Sequence, residues 1–167
     1  MVTLRCTQKL LEHLKIEPEE TDEPATGALG DWYANLISTV AGDLILLVNE
    51  RSLLSVAIPV QSTQSLIPLF RIRVANLLAM IHIPLGIVER EVMNLNQIRF
   101  GKTLNRTTIG SMNMLAWSYQ AKAEGAKAGA GISLSDFELD MSEMICGQLG
   151  NQEPAKVAKL LLFGYYL

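Results

Sequence analysis

The sequence predicts an α+β fold in which a small, mostly antiparallel sheet is covered by helices. Three observations carry this expectation. Residues 31–60 hold three apolar runs separated by short polar turns, the pattern of a three-stranded meander. From Ser65 onward, apolar residues recur at helical rather than alternating spacing. The longest apolar runs, residues 44–48 and 53–60, are strand-sized and fall well short of the ~18 residues of a transmembrane helix.

Residues 1–6 alternate enough for a short strand, and Thr7 is placed to cap a helix to about Lys15 with Leu10, Leu11 and Leu14 on one face. The acidic stretch 17–30, with two prolines and two glycines, reads as a surface loop. Strands follow at 31–40, 44–49 and 53–60, with turns at 41–43 and 50–52. The middle strand is apolar nearly throughout, as expected when both its faces are covered. Leu66, Ile67, Phe70, Val74, Leu77, Leu78 and Ile81 mark a helix over 65–81, with Pro68 in its first turn. A short helix starts at Pro84, and residues 96–103 read as a later strand. A longer helix over 105–122 buries Ile109, Met112, Ala116 and Tyr119. Residues 121–131, rich in Gly and Ala, read as a flexible connection. A C-terminal helical extension, 132–167, follows: Ser135 and Glu138 suggest a capping box for a helix to about Cys146, and Pro154 opens the last helix.

The chain has 167 residues, enough for one well-buried core, so a single domain over 1–167 is expected. Hydrophobic residues make up 49% of it and mean hydropathy is +0.23. That level excludes a disordered protein and favours a buried oligomer or partner surface, expected as a homodimer through the C-terminal helices. The N-terminus lacks the basic region and apolar core of a secretory signal, and Cys6 and Cys146 are too far apart for a zinc ribbon. A cytoplasmic protein with no membrane segment is expected. A net charge of −3 argues against a general nucleic-acid coat protein.

Charge is nevertheless uneven. Six acids fall between Glu12 and Glu23, whereas Arg99, Lys102 and Arg106 cluster at a strand-to-helix junction. Gly101-Lys102-Thr103 invites a phosphate-loop reading, but position 96 is Asn where the glycine-rich wrap needs Gly. What remains is an anion site of another kind. Asn105 or Thr103 can cap the next helix, whose free amides and positive dipole end favour an anion. Arg106, Gly110, Asn113 and Trp117 share one helix face. Asp31 with Trp32 forms a second candidate cluster, and Glu50 is the best-placed lone carboxylate. His13 and His82 lack neighbours at zinc-ligand spacing. Neither a metal nor a cofactor is expected, and no nucleophile elbow is complete.

Three segments carry a resemblance: Leu4-Arg5-Cys6-Thr7-Gln8-Lys9-Leu10-Leu11, Gly30-Asp31-Trp32-Tyr33-Ala34-Asn35-Leu36, and Gly101-Lys102-Thr103-Leu104-Asn105-Arg106 running into Gly110-Ser111-Met112-Asn113. Their order and spacing resemble an uncharacterised bacterial domain-of-unknown-function family over roughly residues 1–120. The resemblance implies a prokaryotic source and a single domain. It brings no activity and no catalytic residue.

The leading functional expectation is a binding or accessory module that recognises an anionic ligand or nucleic-acid segment near Arg99, Lys102, Asn105, Arg106 and Asn113. One alternative is a small hydrolase or nuclease-like enzyme, with Asp31 or Glu50 as acid or base and Lys102 with Arg106 stabilising charge. Another is a structural oligomerisation or protein-interaction domain.

Overall fold

The computed structural model describes residues 1–60, 63–127 and 133–167. The elements run β1 (Val2–Cys6), α1 (Gln8–Leu14), β2 (Trp32–Thr39), β3 (Gly42–Asn49), β4 (Ser55–Pro59), α2 (Thr63–Met80), α3 (Leu85–Asn94), β5 (Ile98–Lys102), α4 (Arg106–Lys127), α5 (Leu134–Ser142) and α6 (Pro154–Tyr166), with a 3-10 turn at Gly147–Leu149. The five strands form one sheet in the order β4-β3-β2-β1-β5.

The expected meander is present, β3 pairing antiparallel with β2 and β4. The sheet as a whole is mixed rather than mostly antiparallel, because β1 runs parallel to both of its neighbours, β2 and β5. For the β1–β2 pair the physical reason is the helix α1; β5 reaches the other side of β1 only after α2 and α3. A crossover element between β1 and β2 returns the chain to its starting end, and only a parallel strand can follow.

Alternation of side chains then sorts the core into two layers. Val2, Leu4 and Cys6 of β1, Trp32, Ala34 and Leu36 of β2, and Ile45 and Leu47 of β3 face the larger cluster with α1, α2, α3 and α6. Tyr33, Ile37, Leu46, Val48 and Ala57 face the smaller cluster with α4 and α5. Trp32 meets Phe70 edge-on at 5.1 Å in the first layer, and Tyr119 meets Phe137 at 4.8 Å in the second. The central parts of β2, β3 and β4 are therefore largely apolar on both faces. β1 and β5 are not: opposite their apolar residues stand Thr3, Arg5, Arg99 and Gly101.

Each sheet edge gives up one backbone group to the rest of the chain. At β5 the Glu19 amide donates to the Phe100 carbonyl at 2.7 Å. At β4 the Ala57 amide donates to Glu138 Oε1 at 3.0 Å, and Arg73 of α2 donates to the same oxygen from Nε at 3.1 Å.

Several local details differ from the sequence expectation. α2 starts at Thr63, so Pro68 lies inside the helix and leaves the Gln64 carbonyl without its i+4 donor. α5 is capped by Ser133, which accepts from the Asp136 amide at 3.1 Å, rather than by Ser135. Glu138 is turned inward to Arg73 and β4 and is not free for a capping box. Residues 121–127 continue α4, and 128–131 lie outside the described residues. α6 docks on the larger core through Ala155, Ala158 and Leu162. Among the described residues no helix is long and apolar enough to cross a membrane.

Candidate functional site

The two neighbouring parallel strands β1 and β5 end in different ways. After β1, Thr7 caps α1 by accepting from the Leu10 amide at 3.4 Å, and α1 lies on the larger-core face. After β5, Asn105 caps α4, its Oδ1 accepting from Thr107 and Thr108 at 2.9 and 3.3 Å, and α4 lies on the opposite face. Where adjacent parallel strands send their chains to opposite faces, a crevice opens beyond their carboxyl ends.

A cleft of about 390 Å³ begins there, at Lys102, and runs beside α1. Gln8, Leu11 and Glu12 form one wall, and the turn Lys15-Ile16-Glu17-Pro18 forms the other. Lys15 takes a left-handed conformation (φ 56°) that ends α1 and swings the chain across. Gln8 Nε2 donates to Glu12 Oε1 at 2.9 Å. Among the described residues Lys102 has no acidic partner within ion-pair distance. The cleft thus combines two lysines, two glutamates and one amide with Leu11, Ile16 and Pro18.

The expected basic cluster does not assemble in one place. Arg99 and Lys102 are three residues apart on one strand, so alternation sends them to opposite faces. Lys102 pairs in register with Cys6 and shares its face. Arg99 pairs with Thr3 on the α4 side, where Nη1 donates to Glu23 Oε2 at 2.8 Å and to Thr21 Oγ1 at 2.9 Å. Arg106 and Asn113 lie exposed on α4, and Asn105 is committed to its cap.

The second expected cluster is also divided. Trp32 is a core residue, 1% exposed. Asp31 is buried and holds the sheet together: Oδ1 accepts from the Thr3 amide at 2.9 Å, and Oδ2 accepts from Arg5 Nε at 3.2 Å. Glu50 lies in the turn after β3, within electrostatic reach of the Tyr33 hydroxyl. That hydroxyl accepts from the Asn105 amide at 3.0 Å. Burial raises its pKa, the Asn105 amide opposes that, and Glu50 raises it further. Asp31, Arg5, Tyr33 and Asn105 thus form one linked polar strip on the α4 side, whereas Lys102 faces the other way. Burial pushes the Cys6 thiol up to about 12, so it remains protonated at neutral pH and serves as a packing group.

Gln8, Glu12, Lys15 and Glu17 are not among the site residues that the sequence predicts. The signal was the Thr7 cap: once β1 and β5 are parallel neighbours, the start of α1 must lie next to the end of β5.

A second buried polar knot stands outside this region. Glu91 of α3 accepts from the amides of Ala28 and Leu29 at 3.0 and 2.9 Å and from the Tyr166 hydroxyl at 2.7 Å. Gly27 (φ 93°) allows this approach, since a Cβ there would lie 3.0 Å from the carboxylate and 2.6 Å from Asn94 Nδ2. All three donors are internal, so the carboxylate is fully used in fixing the loop and α6.

Neither a curated protein nor a solved structure matches the chain. A family model does match: the chain belongs to DUF6933, a domain of unknown function, over residues 3–157.

Proposed function

We propose that this DUF6933 domain is a non-enzymatic binding module that takes a small anionic ligand in the cleft beside Lys102. The observation that carries the reading is a lysine at the carboxyl end of β5 with no ion-pair partner among the described residues, in the crevice where β1 and β5 send their chains to opposite faces. The Lys102 ammonium offers three donors, and Gln8 and Lys15 supply more from the adjacent walls. Glu12 and Glu17 set the limit on what fits. Two carboxylates in the lining repel a polyanion, so the cleft favours a ligand with one anionic group and a neutral or cationic remainder. A nucleic-acid strand is disfavoured for the same reason, and because Arg99 is already paired with Glu23. Two free cysteines suit a reducing cytoplasm, the compartment we assign to this protein.

The test is an amide-resolved NMR titration of the whole chain with inorganic phosphate, small carboxylic acids, amino acids and a short single-stranded DNA. Saturable shifts at Gln8, Lys15, Glu17 and Lys102 with one of the small anions are expected. Lys102→Ala should weaken that binding about 10–100-fold, the size of one charge-assisted hydrogen bond, with an unchanged fold. Absence of saturable shifts at these residues, or equal binding by Lys102→Ala, refutes the reading. Tight, steeply salt-dependent binding of DNA instead would favour the nucleic-acid version.

A further inference from the structure

The helix face carrying Arg106, Gly110, Asn113 and Trp117 is exposed along its whole length, and Met114 and Glu124 lie on it too. Met114 and Trp117 are each 74% exposed. Large apolar side chains so displayed along a single stripe are uncommon on a monomer and mark a contact surface. The apolar area continues beyond α4: Met144 and Ile145 flank Met114 across a shallow groove of about 120 Å³.

We propose that this face is where two copies of the chain associate, with α4 packed antiparallel against α4 about a two-fold axis passing between Asn113 and Met114. The stripe is self-complementary in that arrangement. Helical spacing places Trp117 over the partner subunit's Gly110, where an added Cβ would meet nothing in its own chain and an indole ring has room. Arg106 lies over the partner subunit's Ala121, one turn from the partner subunit's Glu124. Among the described residues neither Arg106 nor Glu124 has an ion-pair partner within its own chain. A parallel pairing would instead set Arg106 against Arg106 and tryptophan against tryptophan, with no small residue to receive either ring. Two-fold symmetry requires one patch to match itself, and an aromatic residue seated on glycine is the sort of anchor that dominates such contacts. One helix pair with a small apolar shelf is a modest interface, so association in the micromolar range is expected.

Sedimentation velocity of the full chain from about 1 to 200 µM is the test. A reversible dimer is expected. Gly110→Leu and Trp117→Ala should each weaken it about tenfold or more while circular dichroism stays unchanged, since both positions are exposed and Leu is a better helix former than Gly. Arg106→Glu and Glu124→Arg should each weaken it as well, and the two combined should recover association to within about threefold of the unaltered protein. A monomer throughout the range overturns the proposal. So does a dimer untouched by Gly110→Leu and Trp117→Ala, which would place the contact on another surface such as the C-terminal helices. A doubly reversed pair that fails to recover rejects the antiparallel register.

Discussion

The two halves of the sheet meet water differently. In the antiparallel half, β2, β3 and β4 are packed on both faces, and Leu46 and Leu47 point to opposite cores at 0% exposure. In the parallel half, β1 and β5 are apolar on one face and carry Thr3, Arg5, Arg99 and Gly101 on the other. The difference follows from where α4 and α5 lie. They cover the smaller-core face over β2, β3 and β4 and leave that face of β1 and β5 to loops. Two-sided apolar burial is concentrated in the first half. The polar groups with unspent capacity, Lys102 among them, gather at the second.

Substitutions on the smaller-core face separate the two halves. Leu46→Ala should have the largest effect, about 3 kcal/mol of unfolding free energy, because a fully buried leucine leaves a cavity between two packed layers. Chemical denaturation checks this, and a loss below about 1 kcal/mol would mean that the smaller core is loosely packed. On the same side of the parallel half, Asp31→Ala leaves the Thr3 amide and the Arg5 guanidinium without their acceptor. A loss of about 2 kcal/mol is expected, less than for a dry pair because Arg5 keeps 14% of its side-chain surface in water. Adding Arg5→Met to Asp31→Ala should recover part of that loss, since the stranded cation is then gone. A double variant whose loss equals the sum of the two single losses would show instead that the pair is a minor part of the strip.

The same contrast explains what could be read in the sequence. Elements defined by local chemistry were legible: the Thr7 and Asn105 caps act on amides two or three residues away, and Met112, Ala116 and Tyr119 bury on one helical period. Strand direction was harder, because it depends on which end the chain returns to after α1. The apparent cation cluster was a sequence effect, since Arg99 and Lys102 are close along the chain yet on opposite faces of β5. The partners of Glu91 and Glu138 lie tens of residues away, so no local pattern announced either knot. The face through Arg106, Gly110, Asn113 and Trp117 was visible as a face. Its outward direction was fixed only when Met112, Ala116 and Tyr119 took the opposite side into the smaller core.

The finest test concerns Glu138, a buried carboxylate packed against the antiparallel half. Glu138 bridges β4 and Arg73, and burial raises its pKa against the opposing pull of the Ala57 amide and the Arg73 guanidinium. A raised native pKa means that the native protein holds this proton after the unfolded chain has released it. Its contribution is therefore fully present below the unfolded carboxylate range and is lost as pH rises through the native value. Glu138→Gln keeps an oxygen to accept from Ala57 but cannot ionise. The unfolding free energy of the unaltered protein, measured against Glu138→Gln, should decline as pH rises above about 4.5, the ordinary carboxylate value. The opposite slope, with the unaltered protein gaining on Glu138→Gln as pH rises, would mean that Arg73 outweighs burial. The antiparallel half would then owe part of its stability to a charged pair, and the contrast between the two halves would narrow to the packing of their faces.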